Sequence, residues 1–503
     1  MASKTNNAWL APAVVLLSST AAADTAVTIY SKAQPGAVDP SLYRPVNGNQ
    51  RGQTVPGYAI VRQDQRIELT AGRSEIRLTD VAALIDPTTV RFESLTDPDG
   101  TRVLEQDFRF DLIGTQKLLD RYIDTRISVQ QVVGDRLVTV NGTLLSTQGG
   151  LVMQTEDGRI EVLTSWQNLS LAELPGGLMT RPTLIWDLTT RREGEHKTRV
   201  SYETQGATWW ADYNLLWQPG RDDNKGTLSV AAWVSILNQT GASFDDAKLK
   251  LIAGDVQRAT AASNMNPRRN MVMQRAMVAE DAGFSEQALF EFHLYTLERN
   301  TSIPQNSTKQ IELFPQASGV PARKHLVFNG LPGYGGQFYG NNDRNFGAQS
   351  NAKVDVYLEF ENREKNGLGI PLPAGRLRVS QADQRDGSLE FIGEDVIAHT
   401  PKNESLRIRL GSAFDVLGER KQTNYKVDNA RRVVEESFEI TLTNRKDQSQ
   451  TVTIAEPLYR WANWEIVDRS DDFEKIDANL VHFEVSVPAD SKRTVSYRVR
   501  YTW

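Results

Sequence analysis

A chain whose side chains alternate between apolar and polar at every step is confined to extended strands. Only there do successive residues point to opposite faces, so that one set is buried while the other stays wet. The C-terminal stretch does this most plainly: Val495, Tyr497, Val499 and Tyr501 alternate with Ser496, Arg498, Arg500 and Thr502 and lead to Trp503. The same period recurs at Tyr58 and Ile60, Ile67 and Leu69, Ile76 and Leu78, and along 90–95, 290–297 and 433–443. Turn residues separate these runs, among them Asp86-Pro87, Asp97-Pro98-Asp99-Gly100 and Asn238-Gln239-Thr240-Gly241. Helical spacing is rare, and one short helix is expected where Leu118, Leu119, Tyr122 and Ile123 fall three and four apart. Five short runs follow it, at 127–129, 138–140, 144–145, 151–153 and 160–162, joined by Gly134-Asp135, Asn141-Gly142, Gly149-Gly150 and Asp157-Gly158. That spacing predicts a small five-strand, barrel-like insert.

At 503 residues the chain exceeds what one hydrophobic core usually serves. The expected fold is therefore mainly β: tandem, immunoglobulin-like β-sandwiches with a small inserted β-barrel and few short helices. The expected divisions are a targeting segment at 1–23, an N-terminal β domain at 24–114, and the helix with its five-strand insert at 115–180. A first sandwich at 190–360 and a C-terminal sandwich at 361–503 follow. Within the first sandwich, 258–283 has no β period and carries Met265, Met271, Met273 and Met277, while 329–351 packs six glycines and five asparagines around Tyr334, Phe338, Tyr339 and Phe346. Both read as mobile loops, and loops on a rigid β scaffold commonly host recognition.

The first residues have the order of an export signal: Lys4, an apolar run over 9–18, and Ala21-Ala22-Ala23 before Asp24. No later apolar run is long enough to cross a membrane as a helix. The sequence contains no cysteine, which removes disulfides, thiolate metal sites, thiol catalysis and a lipid anchor at the cleavage site. The expected location is the periplasm or outer-membrane surface of a Gram-negative bacterium, with peripheral association with the outer membrane left open.

Charge and motifs narrow the chemistry. A net charge of −6 gives no basic footprint for nucleic acid. There is no nucleophile elbow, no phosphate-cradling loop followed by Lys and Ser or Thr, and no zinc-protease helix, so no catalytic residue and no cofactor is assigned. The histidines, at 196, 293, 325, 399 and 482, are nowhere paired at a spacing that puts two metal ligands on one face. Glu291, His293 and Tyr295 share a strand face, yet a single histidine there is more often simply hydrogen-bonded, and no metal is expected. The aromatic residues Trp209, Trp210, Tyr213 and Trp217, with Tyr334, Phe338 and Tyr339 of the second loop, are the candidate binding residues. Adjacent Trp209 and Trp210 must face opposite ways in a strand, so that one joins the core. The other is either displayed to a sugar ring or partner, or covered by a neighbouring layer. The final strand matches the spacing of an outer-membrane barrel's last strand, but the short, uneven, Pro-interrupted runs before it fit the end of a sandwich better.

Several separated blocks carry a resemblance: Gly206-Ala207-Thr208-Trp209-Trp210-Ala211-Asp212-Tyr213, Asn238-Gln239-Thr240-Gly241, residues 249–254, Leu372-Pro373-Ala374-Gly375, residues 410–416, and Thr443-Asn444-Arg445-Lys446-Asp447. From Val200 onward the chain resembles the DUF4139 domain family, bacterial proteins of unknown function typified by mucoidy inhibitor A. The resemblance implies a β-rich envelope protein connected with exopolysaccharide, and it brings no catalytic residue. The long coiled coil common in that family is replaced here by the short helix and its insert. The expected role is non-catalytic binding of an envelope protein or glycan, or a structural role. The alternatives are an envelope hydrolase or glycan-processing enzyme with carboxylates assembled in three dimensions, and an outer-membrane barrel component.

Overall fold

The structure is a computed structural model that describes the chain except for residues 1–13, 17–23, 32–37, 44–53, 80, 174–177, 223, 255, 257–283, 290, 332–337, 349 and 384. The segment 1–23, expected to be an export signal, apart from a short backbone strand at Val14–Leu16, and the Met-bearing stretch 258–283 lie outside the described residues.

The chain is mainly β, as the alternation demands, and its strands gather into sheets of four, five, eight and thirteen strands. In the eight-stranded sheet, Asp24–Ser31 lies between Gly57–Leu69 and Phe244–Ala253, antiparallel to the first and parallel to the second. The N-terminal segment is thus built into the same sheet as strands two hundred residues downstream. The thirteen-stranded sheet runs from Leu389–Ile397 through Gly375–Ala382, Ala207–Pro219, Lys225–Asn238, Ser307–Phe328 and Lys353–Glu361 to Ser405–Asp428, then on to Val433–Asn444, Ser491–Thr502 and Asn463–Arg469. Two very long strands, Ser307–Phe328 and Ser405–Asp428, serve two cores in turn. Residues 405–412 of the second pair with Lys353–Glu361, and residues 416–428 with Val433–Asn444.

The first core gathers apolar side chains from Val27 to Ile408, including Trp186, Tyr202, Trp209, Tyr213, Trp217 and Tyr295. The second runs from Leu326 to Tyr501 and takes in Val495, Tyr497, Val499 and Tyr501, the alternating face of the last strand. That aromatic face is therefore turned into protein, and Trp503 stacks on Trp461 at 4.3 Å between ring centres.

The five-strand insert is present as a unit with its own core of Leu119, Tyr122, Ile127, Val129, Leu144, Leu151 and Met153. It is an open sheet rather than a closed barrel, because its edge strands, Ile160–Leu163 and Asn168–Ser170, are four and three residues long and pair inward only. Among the described residues, no helix is long and apolar enough to cross a membrane.

One local device recurs three times. At or just beyond strand ends lie Asn238, Asn362 and Asn444, each buried to 1% exposure or less. Each amide donates to carbonyls of a later proline turn: Asn238 to Ile303 and Pro304, Asn362 to Pro401, Asn444 to Val487 and Pro488. Beyond each proline a residue adopts positive φ, Asn306, Asn403 and Asp490 respectively, and the next long strand begins at Ser307, Ser405 or Ser491. An asparagine can donate twice and accept at once, so one side chain ties a strand end to a distant turn without leaving buried polar groups unmet.

Candidate functional site: a cleft beside Trp210

In strand Ala207–Pro219 the odd-numbered residues from Ala207 to Trp217 are buried in the first core, while Trp210, Asn214, Leu216 and Gln218 retain exposure. Trp209 is 2% exposed and donates from Nε1 to the Ile252 carbonyl at 3.3 Å. Tyr213 is 1% exposed and its hydroxyl donates to the Pro373 carbonyl at 2.7 Å. Burial pushes the pKa of this hydroxyl well above its usual value, so it stays a proton-bearing donor. Trp217 is also buried, at 4% exposure. Three of the candidate aromatics thus belong to packing.

Trp210 is the fourth, and it lies on the opposite face as the strand period requires. Its indole sits 5.3 Å from the Tyr43 ring at a 40° tilt, and Val38, Leu42, Val55 and Leu237 form a small apolar cluster around the pair. Val38, Leu42 and Tyr43 come from the short helix Pro40–Tyr43 and the residues before it, Leu237 from strand Lys225–Asn238, and the Gln239 side-chain amide ties the helix down by donating to the Leu42 carbonyl at 2.9 Å. Trp210 is therefore partly covered, and with Val38 and Tyr43 it walls a cleft of about 290 Å³ that runs over Asp212, Ser235, Thr308, Gln310, Arg376 and Arg378.

Strand register explains this gathering. Trp210 lies opposite Ser235, Ser235 opposite Gln310, and Asp212 opposite Arg376, so the polar face of four neighbouring strands supplies the floor. The side chains form one chain of donors and acceptors. Gln310 Nε2 donates to Ser235 Oγ at 3.0 Å, Ser235 Oγ donates to Asp212 Oδ2 at 3.0 Å, and Arg378 Nη1 donates to Asp212 Oδ1 at 3.4 Å. Arg378 Nε also lies 3.7 Å from Glu394. Among the described residues lining the cleft, Asp212 is the one carboxylate.

The second loop sits elsewhere. Tyr334 lies outside the described residues, and Phe338 and Tyr339 are 36% and 47% exposed. The glycine- and asparagine-rich composition of 329–351 reads as mobile, yet its described part over 338–348 is pinned to the end of the second core. Tyr339 and Gly340 donate their amides to the carbonyls of Tyr459 and Arg460 at 3.0 and 2.7 Å. Arg460 donates to the Asn341 and Phe346 carbonyls, Arg420 to that of Gly347, and the Tyr425 hydroxyl to that of Asn342. Gly347 has φ 75°, and a side chain there would meet the Tyr459 ring at 2.2 Å, so the composition serves close packing.

His293 pairs with Glu286 at 2.6 Å rather than with Glu291, and Tyr295 is buried with its hydroxyl on the Pro371 carbonyl. No cluster of three metal-ligating side chains occurs among the described residues. Sequence reasoning missed Val38 and Tyr43, which lie in a stretch that reads as a polar lead, and also Asp212, Ser235, Thr308, Gln310, Arg376 and Arg378. The alternation Trp210, Asp212, Asn214 and the Arg376-x-Arg378 spacing were the available signals, but only strand order brings them together.

No curated protein and no solved structure matches the chain. The family profile described as a domain of unknown function (DUF4139) matches residues 198–503, more than half of the chain and all the strands that form the cleft floor. The chain belongs to the DUF4139 family.

Proposed function

We propose that this is an exported envelope protein that binds a glycan without cleaving it, in a setting connected with exopolysaccharide or outer-surface organisation. The observation that carries the reading is the pairing of a half-open indole with a row of hydrogen-bonding side chains along one sheet face. A pyranose ring has an apolar face for Trp210 and an edge of hydroxyls for Ser235, Gln310 and Asp212. Two guanidiniums, Arg376 and Arg378, line the same cleft and suit a sugar that carries a carboxylate. A glycosidase of the usual kind works with two carboxylates across the bond it breaks, whereas the one carboxylate among the described lining residues is already engaged by Ser235 and Arg378.

The test is calorimetric titration of the full chain with a uronic-acid oligosaccharide and with a neutral glucan of equal length, alongside an assay for new reducing ends. The expected result is binding that favours the uronate, about tenfold weaker binding or more on Trp210→Ala, where loss of one stacked ring is worth roughly 1–3 kcal/mol, and no reducing ends. No binding of either sugar, or binding indifferent to Trp210→Ala, overturns the reading. Release of reducing ends supports the hydrolase alternative instead.

A further inference from the structure

A second cavity, of about 410 Å³, shares no lining residue with the Trp210 cleft and lies where the long strands pass from the first core to the second. Trp217, Val356, Leu358, Ile392 and Leu410 supply its apolar wall. Leu358 belongs to the first core, and Val356 packs against the second. The lysines of its lining, Lys324 and Lys446, are already engaged within the chain.

The backbone is shaped to open this space. Strand Gly375–Ala382 pairs Val379 with Gly393 and Ser380 with Phe391, leaving Ile392 as an extra residue in the ladder. Strand Lys353–Glu361 pairs Val356 with Gly411 and Tyr357 with Arg409, leaving Leu410 as the extra residue there. Two β-bulges thus put their surplus residues into one cavity, and bulges commonly re-aim a side chain beside a functional site.

Beside this hole stands a knob. Strand Lys353–Glu361 pairs Asp355 with Ser412 and Lys353 with Leu417, so Val354 alone stands opposite residues 413–416. The excursion carries Phe414 into solvent at 93% exposure, the most exposed large hydrophobic residue among those described. Its backbone is anchored on both sides: Ala413 packs against the second core, Val416 is buried in it, and the Asp415 carbonyl accepts the Arg445 amide at 2.7 Å. Phe414 follows Ser412 of the cavity lining by two positions, and exposed Phe391 directly precedes Ile392.

We infer that two copies of this chain form a two-fold dimer in which each Phe414 ring enters the other copy's cavity, against Trp217, Leu358, Ile392 and Leu410. A two-fold contact needs a surface complementary to itself, and a projecting ring next to an apolar hole is such a surface. A cavity of roughly 150 Å³ already admits a benzene ring, so one of about 410 Å³ takes the Phe414 side chain. Because its backbone is already held, Phe414 gives up little freedom on burial, and an aromatic ring that fills a pocket is the usual anchor of an interface. The inference is independent of the glycan reading, since it uses different residues.

The experiment is analytical ultracentrifugation of the full chain across the micromolar range. The expected result is a concentration-dependent dimer. Phe414→Ala removes the knob and Ile392→Trp fills the hole, and each weakens self-association at least about thirtyfold, equal to roughly 2 kcal/mol. An equal mixture of the two variants keeps one knob and one hole. With one variant fluorescently labelled, the mixture therefore shows a mixed dimer at concentrations where neither variant pairs with itself. Phe414 lies in solvent, so Phe414→Ala leaves the thermal midpoint unchanged, and its result decides the matter even where Ile392→Trp lowers that midpoint. A monomer at every concentration, an open series of larger assemblies, self-association unchanged by Phe414→Ala, or a mixture of two folded variants without a mixed dimer overturns the inference.

Discussion

The two cores are built on different terms. In the first, three of the aromatic side chains that reach inside each donate once to the backbone: Tyr213 to the Pro373 carbonyl, Tyr295 to the Pro371 carbonyl, and Trp209 to the Ile252 carbonyl. In the second, two complete ion pairs are buried with no side-chain exposure, Arg420 with Glu456 and Arg460 with Glu436. Arg460 grips Glu436 through two nitrogens at 2.8 and 2.7 Å, and Arg420 donates to Glu456 at 2.7 Å while lying 3.8 Å over the Phe438 ring. Hydroxyl and amide donors add to the carboxylates, Tyr497 on Glu456 and Gln422 on Glu436.

Such pairs are poor net stabilisers, since desolvating the charges offsets most of their attraction. Their use here is positional. The guanidinium nitrogens left over donate to loop carbonyls at Asn341, Phe346 and Gly347, so the loop over 338–348 is held from inside the core. The first region keeps its interior largely apolar and gathers polar side chains along one sheet face. The second uses its polar interior to hold its own chain.

The most forceful way to break this comparison is to strand one charge. Arg460→Met leaves Glu436 buried without its partner and should cost about 3–5 kcal/mol in urea unfolding, while Arg460→Met/Glu436→Leu should recover most of that. A single variant within about 1 kcal/mol of the parent would mean that the pair is not what orders the second core. A matched pair of smaller changes sharpens the point. Asn238→Ala and Asn444→Ala remove the same device from the two cores and should each cost about 1–3 kcal/mol, because buried carbonyls lose their donor. Strongly unequal losses would show that the recurrence is one of geometry only.

The smallest effect expected is on pH. Burial holds His325 and His482 below the ordinary histidine range, the nearby Arg407 adding to it at both. Both lie in strands that feed the second core, His482 in Leu480–Val487 and His325 in Ser307–Phe328. A histidine with a depressed folded pKa binds its proton more readily when unfolded. Its contribution is therefore present above about pH 6.5 and is lost as the pH falls towards the folded value. Asp64 of the eight-stranded sheet is also depressed, chiefly by its hydrogen bonds from Arg199, and its contribution is lost only below about pH 4. The thermal midpoint should fall in two steps on acidification, and His325→Asn/His482→Asn should flatten the first while leaving the second.

Strand period made the mainly β architecture legible, and it placed Trp209 and Trp210 on opposite faces correctly. It could not supply strand order. Asp24–Ser31 sits beside Phe244–Ala253, and Gly375–Ala382 beside Ala207–Pro219, through pairings that no local pattern records. The cleft floor depends on those neighbours, which is why Trp210 was visible in the sequence and Arg376 and Arg378 were not. The composition of 329–351 did not show how its described part over 338–348 is held. Glycine and asparagine are the residues of flexible chain, but they also permit the close approach that Gly347 makes to Tyr459. Motif blocks such as Asn238-Gln239-Thr240-Gly241 and Leu372-Pro373-Ala374-Gly375 turn out to carry fold rather than chemistry. Asn238 ties a strand end, Gly241 lies against Ala83 where a side chain would meet it at 2.3 Å, and Pro373 accepts the Tyr213 hydroxyl.

A crystal structure of the full chain soaked with the uronic-acid oligosaccharide tests the account most directly. One sugar ring should lie on Trp210 with its carboxylate on Arg376 or Arg378. An oligosaccharide seated at another surface while the Trp210 cleft stays vacant would contradict it.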